Sequence, residues 1–182
     1  MKCIGLDPVA DSDAQVLILG TLPSVISLKQ GQYYANPRNS FWWIIEKLTG
    51  IGIGLPYCER VSGLKRCHIA LWDVCRSGER SGSSDAKILW DSIEPNDFTS
   101  FLSLHPRIKL ICFNGRPAEK VFVRRVLPSF STVEPVRRQV IDSTSPAHSR
   151  ITRETKLSRW REILVPVIGA EHILNNPKGW SL

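Results

Sequence analysis

No apolar run in these 182 residues approaches a membrane span. Val16–Leu19 is typical, far short of the roughly 20 residues that a bilayer-crossing helix needs. Met1–Asp13 mixes Lys2, Asp7, Asp11 and Asp13 with Gly5 and Pro8 and does not read as a signal peptide. Repeats, low-complexity tracts and Pro, Gly or Ser linkers are also missing, which predicts a single domain over 1–182. No Cys-x-x-Cys pair occurs among the five cysteines, Cys3, Cys58, Cys67, Cys75 and Cys112. An odd number of thiols with no leader predicts free cysteines in a reducing cytoplasm. Cys58, Cys67, His68 and Cys75 fall within 18 residues, yet without that spacing they read as isolated buried thiols. Neither metal nor cofactor is expected.

What is present is a soluble globular composition, 42% hydrophobic and 23% charged, with a net charge of +7. That balance suggests a polyanionic partner without naming one. Short apolar runs at 16–20, 69–74, 108–113 and, more weakly, 139–142 read as strands buried on both faces. Between them lie helical stripes: Phe41, Ile44, Ile45 and Leu48; Phe98, Phe101 and Leu102; Ala118, Val121, Phe122 and Val126; Leu157, Trp160, Ile163 and Leu164. The alternation predicts an α/β fold with a mostly parallel sheet of about four strands. Ligands bind beyond the carboxyl ends of such strands, which marks the loops starting at Gly20, Asp73, Asn114 and Ser143.

The first of these loops is the most unusual. About twenty residues separate the strand ending at Gly20 from the helix at Phe41, a length more often functional than not. The loop reads Gly20-Thr21-Leu22-Pro23-Ser24, then Gln32-Tyr33-Tyr34-Ala35-Asn36-Pro37-Arg38-Asn39-Ser40, before Phe41-Trp42-Trp43. Asn39 or Ser40 could simply cap the helix. Tyr34 to Trp42, however, resembles the aromatic-Ala-x-Pro-x-Asn-x-Phe-Trp motif of the uracil-DNA glycosylase superfamily. Leu71-Trp72-Asp73-Val74, Asn96-Asp97-Phe98, Phe113-Asn114-Gly115 and Ser143-Thr144-Ser145-Pro146-Ala147 extend the likeness to the hypoxanthine-DNA (deoxyinosine) glycosylase branch. The segments run in the family's order from residue 16 to about 165.

The resemblance implies a three-layer αβα fold around a mostly parallel four-stranded sheet. It also implies a monofunctional hydrolase that cuts the N-glycosidic bond of a flipped deaminated base, hypoxanthine, to start base excision repair. Uracil or xanthine as the main substrate is the alternative, and a non-catalytic nucleic-acid-binding module is a more distant one. Such hydrolysis needs a positioned water on one side and donors toward the departing base on the other. The Gly20–Leu22 turn carries no carboxylate, so the resemblance assigns the water to Asn39, its oxygen accepting from water while its amide is tied down. It places Tyr34 against the base and Asn114 at the base edge, with backbone of Gly20, Thr21 and Leu22 nearby. Gln32 is a lesser candidate. Asp73 is another, equally readable as a turn-capping carboxylate.

Ser143-Thr144-Ser145-Pro146-Ala147-His148-Ser149-Arg150 corresponds to the superfamily's phosphate-gripping loop, whose hydroxyls and amides suit a phosphate. The wedge that fills the flipped base's space aligns with Ala147 or with His148, and His148 could also stabilise the leaving base. The sequence departs from the branch at Ser24 and His148, where Gly and Asn are commoner. Basic residues concentrate at 116–138 and 150–161, each netting +4, so the remainder nets about −1. The second cluster follows the phosphate loop and is expected to meet DNA. No Lys or Cys in the site loops suits a Schiff base, Lys29 being the nearest amine. The expected protein is a cytoplasmic monomer of bacterial or archaeal type acting on chromosomal DNA.

Overall fold

The computed structural model describes residues 2–130 and 135–169. Glu134 of the first basic cluster lies outside them. The core is a four-stranded parallel sheet in the order β3 (Ile69–Asp73), β2 (Val16–Gly20), β6 (Leu110–Asn114), β7 (Arg137–Ile141). Side chains alternate across a strand. Val16 and Ile18 therefore enter one apolar core while Leu17 and Leu19 enter the other, and every residue of β2 is buried. Each fully buried Leu or Ile contributes about 1.5–3 kcal/mol.

Helices close both faces. On the Val16 side lie α2 (Phe41–Thr49), α3 (Tyr57–Arg66) and α6 (Arg153–Ile168), which bury Phe41, Ile44, Ile45, Leu48, Leu64, Trp160 and Leu164. On the other side lie α4 (Phe98–Leu104) and α5 (Arg116–Val121), with Phe98, Phe101, Ala118, Val121 and Phe122 inside. The expected helical stripes thus bury as predicted, and the layers are αβα. Helix α6 is capped by Thr152, whose hydroxyl accepts the Thr155 N–H, a stop signal for the preceding loop.

Three strands were not expected. β1 (Lys2–Ile4), β4 (Cys75–Arg80) and β5 (Ile88–Pro95) form a small antiparallel sheet in the order β1-β4-β5. β4 reads Cys-Arg-Ser-Gly-Glu-Arg, and its buried positions hold Ser77, Gly78 and Arg80 rather than an apolar alternation. The long first loop also contains a helix, α1 (Val25–Gln30). Ser24 accepts the Ser27 N–H at its start, and Gly31, with φ of 63°, ends it in the left-handed region. Cys67 and Cys75 are buried as expected, but Cys58 is exposed on α3.

Candidate active site

All four marked strand ends open on one cleft of about 460 Å³. Its floor begins at Gly20, which pairs with Asp73 across the parallel ladder. A Cβ at Gly20 would lie 2.3 Å from Asp73 Oδ1, so only glycine lets that carboxyl pack against the β2 terminus. The following turn is held by Arg80, whose side chain is fully buried. Its guanidinium donates to Leu22 O at 3.2 Å, to Pro23 O, to Gly82 O at 2.9 Å and to Asp85 Oδ1 at 3.3 Å. Thr21 Oγ1 donates to Asp85 Oδ2 at 2.9 Å. A buried guanidinium requires this degree of pairing, because each unpartnered N–H would forfeit its hydration.

The aromatic stretch forms one wall. Tyr34 has φ of 55°, in the left-handed region that residues with a Cβ seldom enter. Both tyrosines border the cleft, but their hydroxyls have different surroundings. Tyr33 turns into the core, donating its hydroxyl to Leu6 O and Asp7 O at 3.1 Å each. Tyr34 lines the cleft and stacks on Phe41 with ring centroids 3.9 Å apart and planes 16° from parallel. Burial, reinforced by Asp73, pushes its phenol above the ordinary range.

Asn39 also lines the cleft, but its carboxamide is oriented differently from the expectation. Oδ1 accepts the Phe41 N–H at 2.9 Å, satisfying an orphan donor at the start of α2. The side chain is thereby oriented through its oxygen, which keeps a second lone pair, and its amide is not the tethered end. The capping reading and the cleft placement therefore hold together. Ser40, the residue before α2, donates its N–H and its hydroxyl to Thr144 O at 3.0 and 3.2 Å.

Thr144 is almost wholly buried and joins the facing loop to the sheet. Asn114 Nδ2 donates to Thr144 Oγ1, and the Thr144 N–H donates to Asn114 Oδ1, both at 2.9 Å. Gly115, at φ of 100°, packs where a Cβ would meet Ser143 Cβ at 2.9 Å. Beyond Thr144 the turn tightens on itself: Ser143 Oγ accepts the Ser145 N–H and Ser145 Oγ accepts the Ala147 N–H, each at 3.3 Å. Pro146 and Ala147 are exposed at the rim.

Asp73 is buried, and burial pushes its carboxyl up to about 7, with Asp85 adding to the shift and Arg80 opposing it. Asp85 is raised in the same direction, chiefly by burial. The cleft is therefore lined by hydroxyls and carboxamides around the Asp73 carboxyl, whose burial resists ionisation, with the Asp85–Arg80 pair beside it. Lys29 is exposed on α1 and does not line it.

Of the expected site residues, Gly20, Thr21, Leu22, Tyr34, Asn39, Asn114, Ser143, Thr144, Ser145, Pro146 and Ala147 come together in this cleft. Gln32, His148, Ser149 and Arg150 do not line it. His148 faces a neighbouring hollow with Arg138 and Arg159, and its carbonyl accepts Lys156 Nζ at 2.7 Å. Asp85 and Arg80 were missed, because a Ser/Gly-rich polar stretch carries no sign of a buried ion pair. Arg38, at the cleft edge, lay inside the recognised motif but drew no role.

The basic cluster after the loop is partly consumed inside the protein. Lys156 is buried, Arg159 pairs with Asp142 at 3.0 Å, and Arg153 covers the Trp43 ring at 4.5 Å. Arg153 and Arg159 nonetheless stay exposed, as Arg150 and Arg161 do, and only Lys156 is taken out of solvent.

Comparison with known proteins agrees with this fold. Residues 8–165 match the Uracil DNA glycosylase superfamily. A protein of Methanosarcina acetivorans named hypoxanthine DNA glycosylase is 35% identical over 166 residues, 87% of this chain and 96% of that protein. One of the same name from Methanosarcina barkeri is 34% identical over 169 residues, covering 89% and 98%. The solution structure of a Methanosarcina acetivorans protein, described provisionally as a uracil DNA glycosylase, superposes with a TM-score of 0.72 at 33% identity, covering 93% of this chain and all of that one. The chain belongs to the Uracil DNA glycosylase superfamily.

Proposed function

We infer that this protein is a monofunctional DNA glycosylase that hydrolyses the N-glycosidic bond of a deaminated base, hypoxanthine foremost, extruded from the duplex. One observation carries the reading: Asn39 and Tyr34 from one loop, Asn114 from the sheet and the Ser143–Ala147 turn converge on a single cleft of about 460 Å³. Its relatives named hypoxanthine DNA glycosylase support the choice of base.

In this reading the base enters beside Tyr34, whose ring is braced from behind by Phe41. Asn39 holds the attacking water with the lone pair that Phe41 leaves free, so the nucleophile is pre-placed rather than recruited. The Gly20–Leu22 backbone and the remaining Nδ2 hydrogen of Asn114 contact the base edge. Ser143 and Ser145 present hydroxyls to the flanking phosphate, while Pro146 and Ala147 at the rim face the gap left in the duplex.

The test is excision from duplexes carrying inosine, uracil or xanthine, with alkali cleaving the abasic product. Product from the inosine duplex is expected. No product from any lesion would remove the enzymatic reading in favour of a binding module, and product from uracil alone would reassign the substrate.

A further inference from the structure

Asp73 lines the cleft, and its Oδ2 is fully buried with no hydrogen-bond partner among the described residues. Native proteins seldom leave a buried polar atom in this state, since the lost hydration costs about 1–3 kcal/mol or more. Other buried groups around the cleft are matched. Arg80 finds two carbonyls of the Gly20–Pro23 turn and Asp85, and Asn114 finds Thr144. Asp73 is also fixed in place. Its backbone carbonyl accepts Asn96 Nδ2 at 2.8 Å, and its Oδ1 occupies the space a side chain at Gly20 would need.

A turn-capping carboxylate would accept nearby N–H groups, and Asp73 Oδ2 accepts none. The groups that surround it are Asp85 and Arg80 from the β4 side, Cys75 on β4, and Tyr33 and Tyr34 from the first loop. The two tyrosines and Cys75 are themselves pushed upward by burial, Cys75 to about 12, so none of them titrates near neutrality. A neutral carboxyl at Asp73 supplies an O–H donor that no acceptor inside the described protein takes up.

We propose that Asp73 is a catalytic residue that presents its carboxylic acid to the extruded purine and protonates the imidazole-ring nitrogen N7 as the base departs. This rests on the glycosylase reading and assigns its leaving-group chemistry. The C1′–N9 bond breaks with both electrons going to the purine, and the Asp73 proton passes to N7. Water held by Asn39 adds to C1′, its released proton goes to solvent, and solvent returns one proton to the Asp73 carboxylate. Hypoxanthine leaves as a neutral tautomer. Uracil has no corresponding basic ring nitrogen and gains less from the same acid.

The experiment is single-turnover excision across pH 5.5 to 9 by wild type, Asp73→Asn and Asp85→Asn on inosine and uracil duplexes. Wild-type excision of hypoxanthine is expected to fall about tenfold per pH unit once Asp73 ionises. Asp73→Asn keeps the shape but not the proton. It is expected to lose at least tenfold on inosine at pH 6, to lose less on uracil, and to show no such alkaline fall. Asp85→Asn removes a negative neighbour and is expected to move the fall to lower pH. Duplex binding by Asp73→Asn at wild-type strength shows that it folds. If wild type excises hypoxanthine but Asp73→Asn keeps both its rate and its alkaline fall, the acid role is overturned and the glycosylase reading stands. Equal losses on inosine and uracil would overturn the purine-specific proton transfer. If wild type excises nothing, it is the glycosylase reading that fails.

Discussion

Asn114 and Thr144 bind each other reciprocally, each giving and accepting one hydrogen bond of 2.9 Å. One residue ends a sheet strand and the other opens the phosphate-type loop, and Thr144 O in turn receives both Ser40 donors. Three chain segments separated by up to 104 residues thus meet at one buried hydroxyl residue. Thr144→Val keeps the shape and the backbone bond but strands Asn114 Nδ2. The variant is expected to lose about 1–3 kcal/mol in denaturant unfolding, with a larger proportional loss in excision than in stability.

Asn39 has two separable duties. Asn39→Ala removes the acceptor for Phe41 N–H, costing about 0.5–2 kcal/mol, and removes the water site. Asn39→Asp retains the acceptor. Thermal melts should therefore show Asp close to wild type and Ala below it, while single-turnover excision by Ala falls by roughly 100-fold or more.

Gly20→Ala is expected to abolish excision with little change in duplex affinity. The new Cβ would lie 2.3 Å from Asp73 Oδ1 and drive that carboxyl from its place, whereas the rim and exposed arginines are untouched. Parallel binding and excision assays separate the two effects.

Arg80→Met leaves Asp85 without its buried partner and frees the Leu22 and Pro23 carbonyls. Removing one member of a buried pair costs about 3–5 kcal/mol. Arg80→Lys recovers the charge but not the fork that reaches three carbonyls and a carboxylate, and rescue is expected to be partial. Urea unfolding of both variants reads the difference.

The basic residues at 150–161 should not act alike. Arg150 is exposed beyond the phosphate loop, while Arg159 is occupied by Asp142 at 3.0 Å. Arg150→Ala is expected to weaken duplex binding and to flatten the slope of log K against log salt by about 0.9. Arg159→Ala should leave that slope near the wild-type value. An unchanged slope in Arg150→Ala would remove its phosphate contact.

The parallel sheet, its flanking helices and the four ligand-end loops were legible because local pattern carries them. A strand buried on both faces must be continuously apolar, as Val16–Leu19 is, and a helix on a sheet must repeat its apolar residues every three or four positions, as Phe41, Ile44, Ile45 and Leu48 do. The antiparallel sheet was not legible. β4 buries Arg80 through pairings with distant atoms, so its residues look like those of a surface hairpin.

The Tyr34–Trp42 motif pointed to the family and to Asn39, and the Phe113-Asn114-Gly115 segment pointed to Asn114. The sequence could not say that the Tyr33 hydroxyl is spent on Leu6 O and Asp7 O while the Tyr34 ring stacks on Phe41, since both follow the left-handed backbone at Tyr34. Nor could it show that Lys156 and Arg159 are spent on internal partners, because +7 is a sum without coordinates. Asp73 shows the division most clearly. Its identity and strand position are written in the chain, but an acid's protonation depends on what surrounds it. Gly20, Arg80, Asp85 and the closed cleft wall reach it only through the tertiary fold.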